Sequence, residues 1–345
     1  MTADVAGAAN LAAPLRRQGD LLAARASIGE TRRLRSPPIT AAPGESIHGG
    51  PRITAKGRRG AGTRPVPKPE DPIQFAIKKL LPKRIKKQVM NAWKFATTKY
   101  VVVSYPKSGR TWLRATLTFY FEERYALDSP PLLEFANLHY LDRRIPKILF
   151  THDGDPYGRP DEIDLDKSRY RSKHVIFLAR DPRDVCVSMY FHRKKRDLDL
   201  DLPIFEFANG SKGGLRTMIE FLNIWADAIG MIPNSHCFSY EKMHSESEKT
   251  LTDALRFLGE DPDPAAVAHA IERSQFDKLK AMEKGGAFES GRLTPADTED
   301  SESFKVRRGK VGGYTDYFDI DQQKQLNDIV EGSLSSDYAD LLARA

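Results

Sequence analysis

The sequence of 345 residues has only two cysteines, and no apolar run approaches the ~18–20 residues of a membrane-spanning helix. Cys186 and Cys237 each lie among apolar neighbours, which is typical of buried thiols in a reducing compartment rather than of a disulfide framework. No group of His, Cys, Asp and Glu has the spacing of a metal site. We therefore expect a cytoplasmic protein without a disulfide, a transmembrane segment or a bound metal.

Aromatic residues are absent from residues 1–70, which contain 12 basic and 5 acidic side chains. Such a segment cannot bury enough apolar surface to offset its ordering entropy, so we predict a disordered basic tail. The tail could be a transit peptide, an electrostatic tether to membrane or nucleic acid, a misassigned start or a segment without function. Residues 71–345 have balanced charge, which gives no support for nucleic acid as the main partner, and we predict that they form one domain. The oligomeric state is left open.

Short apolar runs bounded by polar residues predict four buried strands in the second part of the chain. These runs are Tyr100–Ser104, Pro146–Thr151, His174–Ala179 and Ser235–Tyr240. Helical periodicity predicts helices between or after them, at Asp184–Arg196, Leu215–Gly230, Glu246–Leu258 and Pro264–Arg273. This alternation is typical of a three-layer α/β/α fold with a central, mostly parallel sheet.

A phosphate-binding turn is indicated by Tyr105–Trp112, which follows the first predicted strand and leads into a helix over Leu113–Glu123. Loop N–H groups and the positive end of the helix dipole would converge on one anion there, and Lys107 adds an ammonium group. The P-loop of nucleotide triphosphatases differs, because it requires Gly at Ser104 and Lys at Arg110. This displacement of the lysine argues against an ATP-dependent kinase.

A second anion contact is predicted within Ala179–Ser188. Arg180 ends a predicted strand and therefore projects into the crevice where open α/β sheets bind ligands. Ser188 lies inside the following helix and could offer its hydroxyl to the same anion. Alternatively, Arg180 only pairs with Asp181 or Asp184.

The third basic segment is Phe304–Tyr314, in which four cations and three glycines lie close together. Backbone N–H groups freed by glycine, together with guanidinium groups, suit a dianionic phosphate. A solvated basic loop would have the same composition.

Together the three segments resemble the cytosolic-type sulfotransferases, which use 3′-phosphoadenosine 5′-phosphosulfate (PAPS). Tyr105–Trp112 matches the family's Tyr-Pro-Lys-Ser-Gly-Thr-Thr-Trp loop except at Arg110. Arg180 and Ser188 have the spacing of the family's 3′-phosphate contacts. Phe304–Tyr314 resembles the Arg-Lys-Gly-x-x-Gly-Asp-Trp element, although the acid before the aromatic residue is lost. The resemblance covers about residues 95–320 and implies a fold like that of the P-loop NTPases.

The resemblance also implies which residues bind the donor and which carry the chemistry. The expected donor-binding residues are Lys107, Ser108, Gly109, Arg110, Thr111, Trp112, Arg180, Ser188, Tyr240, Ser274, Phe276, Arg307, Arg308 and Gly309. His152 matches the family's proposed general base, and Lys107 would stabilise the leaving phosphate. The family's Lys two positions before that His is Phe150 here, and Asp153 and Asp155 are alternative bases.

We therefore predict a sulfotransferase that carries a sulfuryl group from PAPS to a hydroxyl acceptor without a metal. Aspartates among aromatic and basic residues suggest a polar acceptor such as a carbohydrate or a glycolipid. The alternatives are a kinase-like phosphotransferase that uses ATP and a non-catalytic anion-binding protein.

Overall fold

Four parallel strands form the centre of the structure. The computed structural model describes residues 71–155, 157–288 and 293–344, so the predicted tail lies outside the described residues. The strands are β1 (Tyr100–Val103), β2 (Ile148–Thr151), β3 (His174–Ala179) and β4 (Ser235–Ser239). Their order in the sheet is β2-β1-β3-β4, and every neighbouring pair is parallel.

Helices surround the sheet in the part of the chain that the structure describes. They are α1 (Pro72–Leu80), α2 (Lys83–Thr97), α3 (Arg110–Tyr125), α4 (Asn137–Leu141), α5 (Pro182–His192), α6 (Ile204–Asn209), α7 (Leu215–Met231), α8 (Tyr240–Ser245), α9 (Ser247–Phe257), α10 (Pro264–Arg273), α11 (Phe276–Lys284), α12 (Ile320–Ser333) and α13 (Ser336–Arg344). A π-helical turn at Arg193–Asp197 continues α5. None of these helices combines the length and the apolar composition that a membrane crossing requires.

The sheet separates two hydrophobic clusters, because successive side chains of a strand point to opposite faces. Val101 and Val103 belong to the cluster that α5, α7, α12 and α13 cover. Val102, between them, belongs to the cluster that α3, α9, α10 and α11 cover. This arrangement confirms the predicted three-layer α/β/α fold with a P-loop-like central sheet.

The strands begin and end within two residues of the predicted positions, and α10 has the predicted bounds. Helix α3, which follows β1, begins at Arg110, three residues earlier than predicted. Its start is set by Gly109, whose φ of 95° lies outside the helical region. Helices α11, α12 and α13 were not predicted. Cys186 and Cys237 are buried and unpaired, as expected.

The structure predicts that Trp225 on α7 anchors one of the two clusters. Its ring is fully buried, lies parallel to Phe177 at 5.9 Å and meets the edge of Tyr170 at 4.9 Å. We expect Trp225→Ala to lower the free energy of unfolding by about 3–5 kcal/mol, because it removes buried aromatic surface and leaves a cavity. Urea denaturation measures this loss. Met231→Ala on the same helix is the control, since Met231 is 60% exposed, and equal losses for both variants would contradict the assignment.

Candidate functional site

The carboxyl ends of the four strands bring the site together. The loop with Lys107 follows β1, His152 follows β2, Arg180 follows β3 and Tyr240 follows β4. All four residues line one cavity of about 590 Å³. Because the strands are parallel, residues distant in the sequence meet at one edge of the sheet.

Nearly all the residues expected at the site line this cavity. Those that do are Lys107, Gly109, Arg110, Thr111, Trp112, His152, Arg180, Ser188, Tyr240, Ser274, Phe276, Arg307, Arg308 and Gly309. Ser108 does not line it, but its hydroxyl is buried and has no hydrogen-bond partner among the described residues. The Nε atoms of Arg180 and Arg307 are likewise buried and have no hydrogen-bond partner among the described residues. Buried polar groups without a partner are rare, so these three atoms fit a site that receives a polar ligand.

The loop between β1 and α3 has the geometry of an anion-binding turn. Lys107 and Gly109 both have positive φ angles, 71° and 95°, which turn successive N–H groups toward a common centre. A side chain at Gly109 is excluded, because its Cβ would lie 2.5 Å from the ring of Tyr240. Helix α3 starts at the next residue, so the positive end of its dipole faces the same place.

Positive charge is concentrated around Lys107. Burial lowers the pKa of its ammonium group well below the usual range, and neighbouring cations lower it further. Those neighbours are Lys305, Arg196, Arg307 and Arg180. Like charges in a poorly solvated site repel one another, so an entering anion would stabilise the whole group.

Arg180 connects the loop between β1 and α3 to the basic segment Phe304–Tyr314. Its guanidinium donates to the carbonyl oxygen of Lys107 at 2.9 Å and to that of Lys310 at 3.4 Å. It also lies over the ring of Tyr240, 3.9 Å from the centroid. Its separation from Asp184 is 3.8 Å, so the alternative pairing exists but is not the closest contact.

Two buried carboxylates hold the backbone of the basic segment against the cavity. Glu283 is fully buried and accepts hydrogen bonds from the N–H groups of Lys305 and Val306, at 2.7 and 2.8 Å. Asp184 accepts from the N–H groups of Gly312 and Tyr314, at 2.8 and 2.9 Å. These acids therefore fix the backbone of the segment beside the cavity.

The two arginines of this segment differ in exposure. Arg307 is partly buried and donates to Glu302 at 2.7 Å and to the hydroxyl of Tyr317. Arg308 is exposed at the rim, where it pairs with Asp316 at 2.7 Å. Arg307 is therefore the better placed of the two for a ligand inside the cavity.

Aromatic side chains, which we call the aromatic end, line another part of the cavity. Trp112 donates its indole N–H to the carbonyl oxygen of Ser274 at 2.9 Å, and its ring lies 4.6 Å from that of His244. Phe276 packs so closely on Gly309 that a Cβ there would overlap its ring. This contact joins the aromatic end to the basic segment.

Both ring nitrogens of His152 are occupied. Nδ1 lies 2.9 Å from the carbonyl oxygen of Ser104, and Nε2 contacts Nη2 of Arg110. Burial lowers the pKa of this imidazole to about 3, and the guanidinium of Arg110 is the next cause. The imidazole is thus neutral near pH 7. Arg110 therefore contacts His152, the expected base. Arg110 is also the residue by which the loop departs from the family pattern.

The two alternative bases point away from the large cavity. Asp153 is buried and forms ion pairs with Lys167, at 2.8 Å, and with Arg169. It also accepts a hydrogen bond from the hydroxyl group of Tyr170. Together with Asp155 it lines a separate cavity of about 80 Å³. Asp153 therefore anchors the turn that follows β2.

The sequence reasoning gave no role at the site to Tyr157, His192, Arg196 or Lys305. Of these, Tyr157, His192 and Lys305 line the cavity, and Arg196 is one of the cations that act on Lys107. His192 had a sequence signal, because it follows Ser188 by four residues and so lies on the same face of α5. Within the described ranges, no group of three or more His, Cys, Asp or Glu side chains could hold a metal ion.

The family model for the sulfotransferase domain matches residues 97–339. Human sulfotransferase 2A1 is 23% identical over 252 residues, which is 68% of this chain and 84% of its own length. Amine sulfotransferase from Oryctolagus cuniculus is 23% identical over 67% of this chain and 78% of its own. Cytosolic sulfotransferase 17 from Arabidopsis thaliana is 25% identical over 67% of this chain and 73% of its own.

Solved structures share the fold. Mouse sulfotransferase SULT7A1 complexed with PAP superposes with a TM-score of 0.50 at 20% identity, over 72% of this chain and 89% of that one. Retinol dehydratase in complex with androsterone and the inactive cofactor PAP gives a TM-score of 0.52 at 18% identity, over 69% and 80%.

The buried carboxylate of Glu283 yields a prediction about the basic segment. We expect Glu283→Ala to lower the free energy of unfolding by about 2–4 kcal/mol, because it leaves two backbone N–H groups without an acceptor. The amides of Lys305 and Val306 should also exchange faster with deuterium. Chemical denaturation and hydrogen exchange measure the two effects. Lys284→Ala is the control, because Lys284 is an exposed neighbour on α11. Unchanged exchange in Glu283→Ala would contradict the proposal that Glu283 holds this backbone in place.

Proposed function

This chain belongs to the sulfotransferase family, and we propose that it transfers a sulfuryl group from PAPS to a hydroxyl group of an acceptor. The observation that carries the proposal is the convergence of Lys107, His152, Arg180 and Tyr240 from four strand ends on one cationic cavity. The two similar structures are both complexes with PAP, which supports PAPS as the donor. PAP is adenosine 3′,5′-bisphosphate, the product that PAPS leaves after transfer.

The donor would lie across the cavity with its two phosphates at separate contacts. We assign the 5′-phosphosulfate to the positive-φ loop, where Lys107, the loop N–H groups and Thr111 surround the start of α3. The 3′-phosphate would bind Arg180, Ser188 and Arg307. The orphaned Nε atoms of both arginines support this assignment.

The adenine would bind at the aromatic end of the cavity, against Trp112, Tyr240 and Phe276, with Ser274 beside it. Trp112 and Tyr240 already meet edge to face there, with centroids 5.5 Å apart. Aromatic faces suit a purine, because stacking buries large apolar surfaces at little conformational cost.

The chemical step would be an in-line displacement at sulfur, by analogy with phosphoryl transfer. The acceptor oxygen forms a bond to sulfur while the bond from sulfur to the bridging oxygen breaks. Lys107 would stabilise the charge that grows on the leaving phosphate. The bound anion would also favour the charged form of Lys107, because it opposes the burial and the cationic repulsion that lower its pKa.

His152 is the proposed general base. Its Nδ1–H donates to the carbonyl oxygen of Ser104, which fixes the tautomer and directs the lone pair of Nε2 toward the cavity. The proton of the acceptor hydroxyl would pass to Nε2 as the bond to sulfur forms.

The acceptor would approach from the side of His152, Tyr157 and His192. We propose a hydroxylated acceptor such as a carbohydrate or a lipid. This wall combines a phenol and imidazoles, which can hydrogen-bond to hydroxyl groups. We also propose a cytoplasmic location, which the buried free thiols support.

Ligand protection separates the proposed function from an ATP-dependent kinase. We expect PAP to raise the melting temperature by several degrees, because a ligand that binds only the folded state stabilises it. ATP with Mg²⁺ should give a much smaller shift. Differential scanning fluorimetry measures both. A larger shift with ATP and Mg²⁺ than with PAP would favour the kinase.

Removal of Lys107 tests the chemistry. We expect Lys107→Ala to lower kcat about 10²–10³-fold, because it deletes a charge that stabilises the transition state. Transfer of labelled sulfate from PAPS to mixed glycan, lipid and phenol acceptors measures the rate. Lys249→Ala, at a side chain that is 68% exposed, is the control. If no acceptor is sulfated while PAP still binds, the chain is a binding protein.

A further inference from the structure

We propose that Arg110 caps the lone pair of His152 while no donor is bound, and that the 5′-phosphosulfate of the donor draws the arginine away. The base would then be free only when the donor is in place. This inference rests on the proposed function, and it assigns a role to the one residue by which the loop departs from its family pattern.

The first step is the hydrogen bonding of the imidazole. Nδ1 faces the carbonyl oxygen of Ser104, which can only accept, so Nδ1 carries the proton and Nε2 carries the lone pair. Arg110 has only donors, so its contact with Nε2 occupies that lone pair. A lone pair that already accepts a hydrogen bond from a guanidinium is not available to a substrate hydroxyl.

The second step is the position of Arg110. It is the first residue of α3 and directly follows Gly109, so its backbone belongs to the proposed phosphosulfate site. Its side chain lines the same cavity as Lys107 and Thr111. An anion bound to this loop would therefore come within reach of the guanidinium by a change of side-chain torsions alone.

The third step is the competition between two acceptors. A phosphate or sulfate offers paired anionic oxygens that match the planar fork of an arginine, whereas a neutral imidazole offers one uncharged nitrogen. The guanidinium is charged in both contacts, but only the phosphate or sulfate adds an opposite charge and a second, parallel hydrogen bond. The donor should therefore displace the guanidinium of Arg110 from Nε2 of His152.

Charged groups from three elements face His152. Arg110 and Arg114 come from α3, Lys305 from the basic segment and His192 from α5. The cations favour the neutral imidazole, so the departure of Arg110 and the arrival of an anion both act in one direction. Each raises the pKa of His152 from about 3 toward its ordinary value.

The capped state would protect the enzyme from unproductive proton transfer. Without the donor, Nε2 cannot take a proton from the acceptor. With the donor bound, the hydroxyl proton moves to Nε2, the new oxygen–sulfur bond forms and PAP departs with the electrons of the broken bond. His152 then returns its proton to solvent, and Arg110 can close again.

The test follows the titration of His152 by NMR of protein labelled at histidine Cε1, with the signal assigned through His152→Gln. In the wild type we expect PAP to raise the pKa of His152 by more than one unit. In Arg110→Thr, which carries the family's residue, the value without PAP should already be raised. The further change with PAP should be smaller than in the wild type. Arg110→Lys, which keeps the charge without the planar fork, should fall between them.

Arg124→Thr is the matched control, because Arg124 lies exposed at the far end of the same helix, and it should titrate as the wild type does. An unchanged His152 pKa in both Arg110 variants without PAP would overturn the cap. An equal response to PAP in wild type and Arg110→Thr would overturn the donor-driven release. If PAP bound neither protein, the proposed function and the release would fail together, while the measurement without PAP would still decide whether the resting cap exists.

Discussion

The organisation of this protein depends on positive charge that is concentrated at the carboxyl edge of the sheet. Lys107, Arg180, Lys305 and Arg307 face one cavity there, and the other three cations add to the burial that lowers the pKa of Lys107. The nearest buried acids, such as Glu283, hold backbone N–H groups instead of the cationic side chains. The folded core thus holds several cations close together against their mutual repulsion. A ligand with two anionic groups would reduce that repulsion.

Much of the fold could be predicted from the sequence, because the strands are short runs of β-branched and aromatic residues between polar ones. Once the strands are known, the site follows, since Arg180 and His152 each stand directly after one. Helices α12 and α13 have sparse apolar residues and gave no comparable signal. The contact between Arg110 and His152 was also beyond prediction, because it depends on the rotamers of two side chains on different elements.

A single residue, Arg110, changes the charge and the reach of the side chains at the loop between β1 and α3. The family's threonine at this position would offer a short neutral hydroxyl, whereas Arg110 offers a long cation that can reach across to β2. The main-chain path needs no alteration, because the start of α3 is set by the positive φ of Gly109. A chain can therefore gain a charge-sensitive contact between α3 and the turn after β2 while the loop between β1 and α3 keeps its shape.

Helix α13 contacts a residue of the large cavity, although no described residue of this helix lines the cavity. Tyr338 on α13 is fully buried, and its hydroxyl donates to the carbonyl oxygen of Arg180 at 3.2 Å. That carbonyl belongs to the residue assigned to the 3′-phosphate. A substitution that loosens α13 would consequently change, through one phenol, the backbone position of a residue that we assign to donor binding.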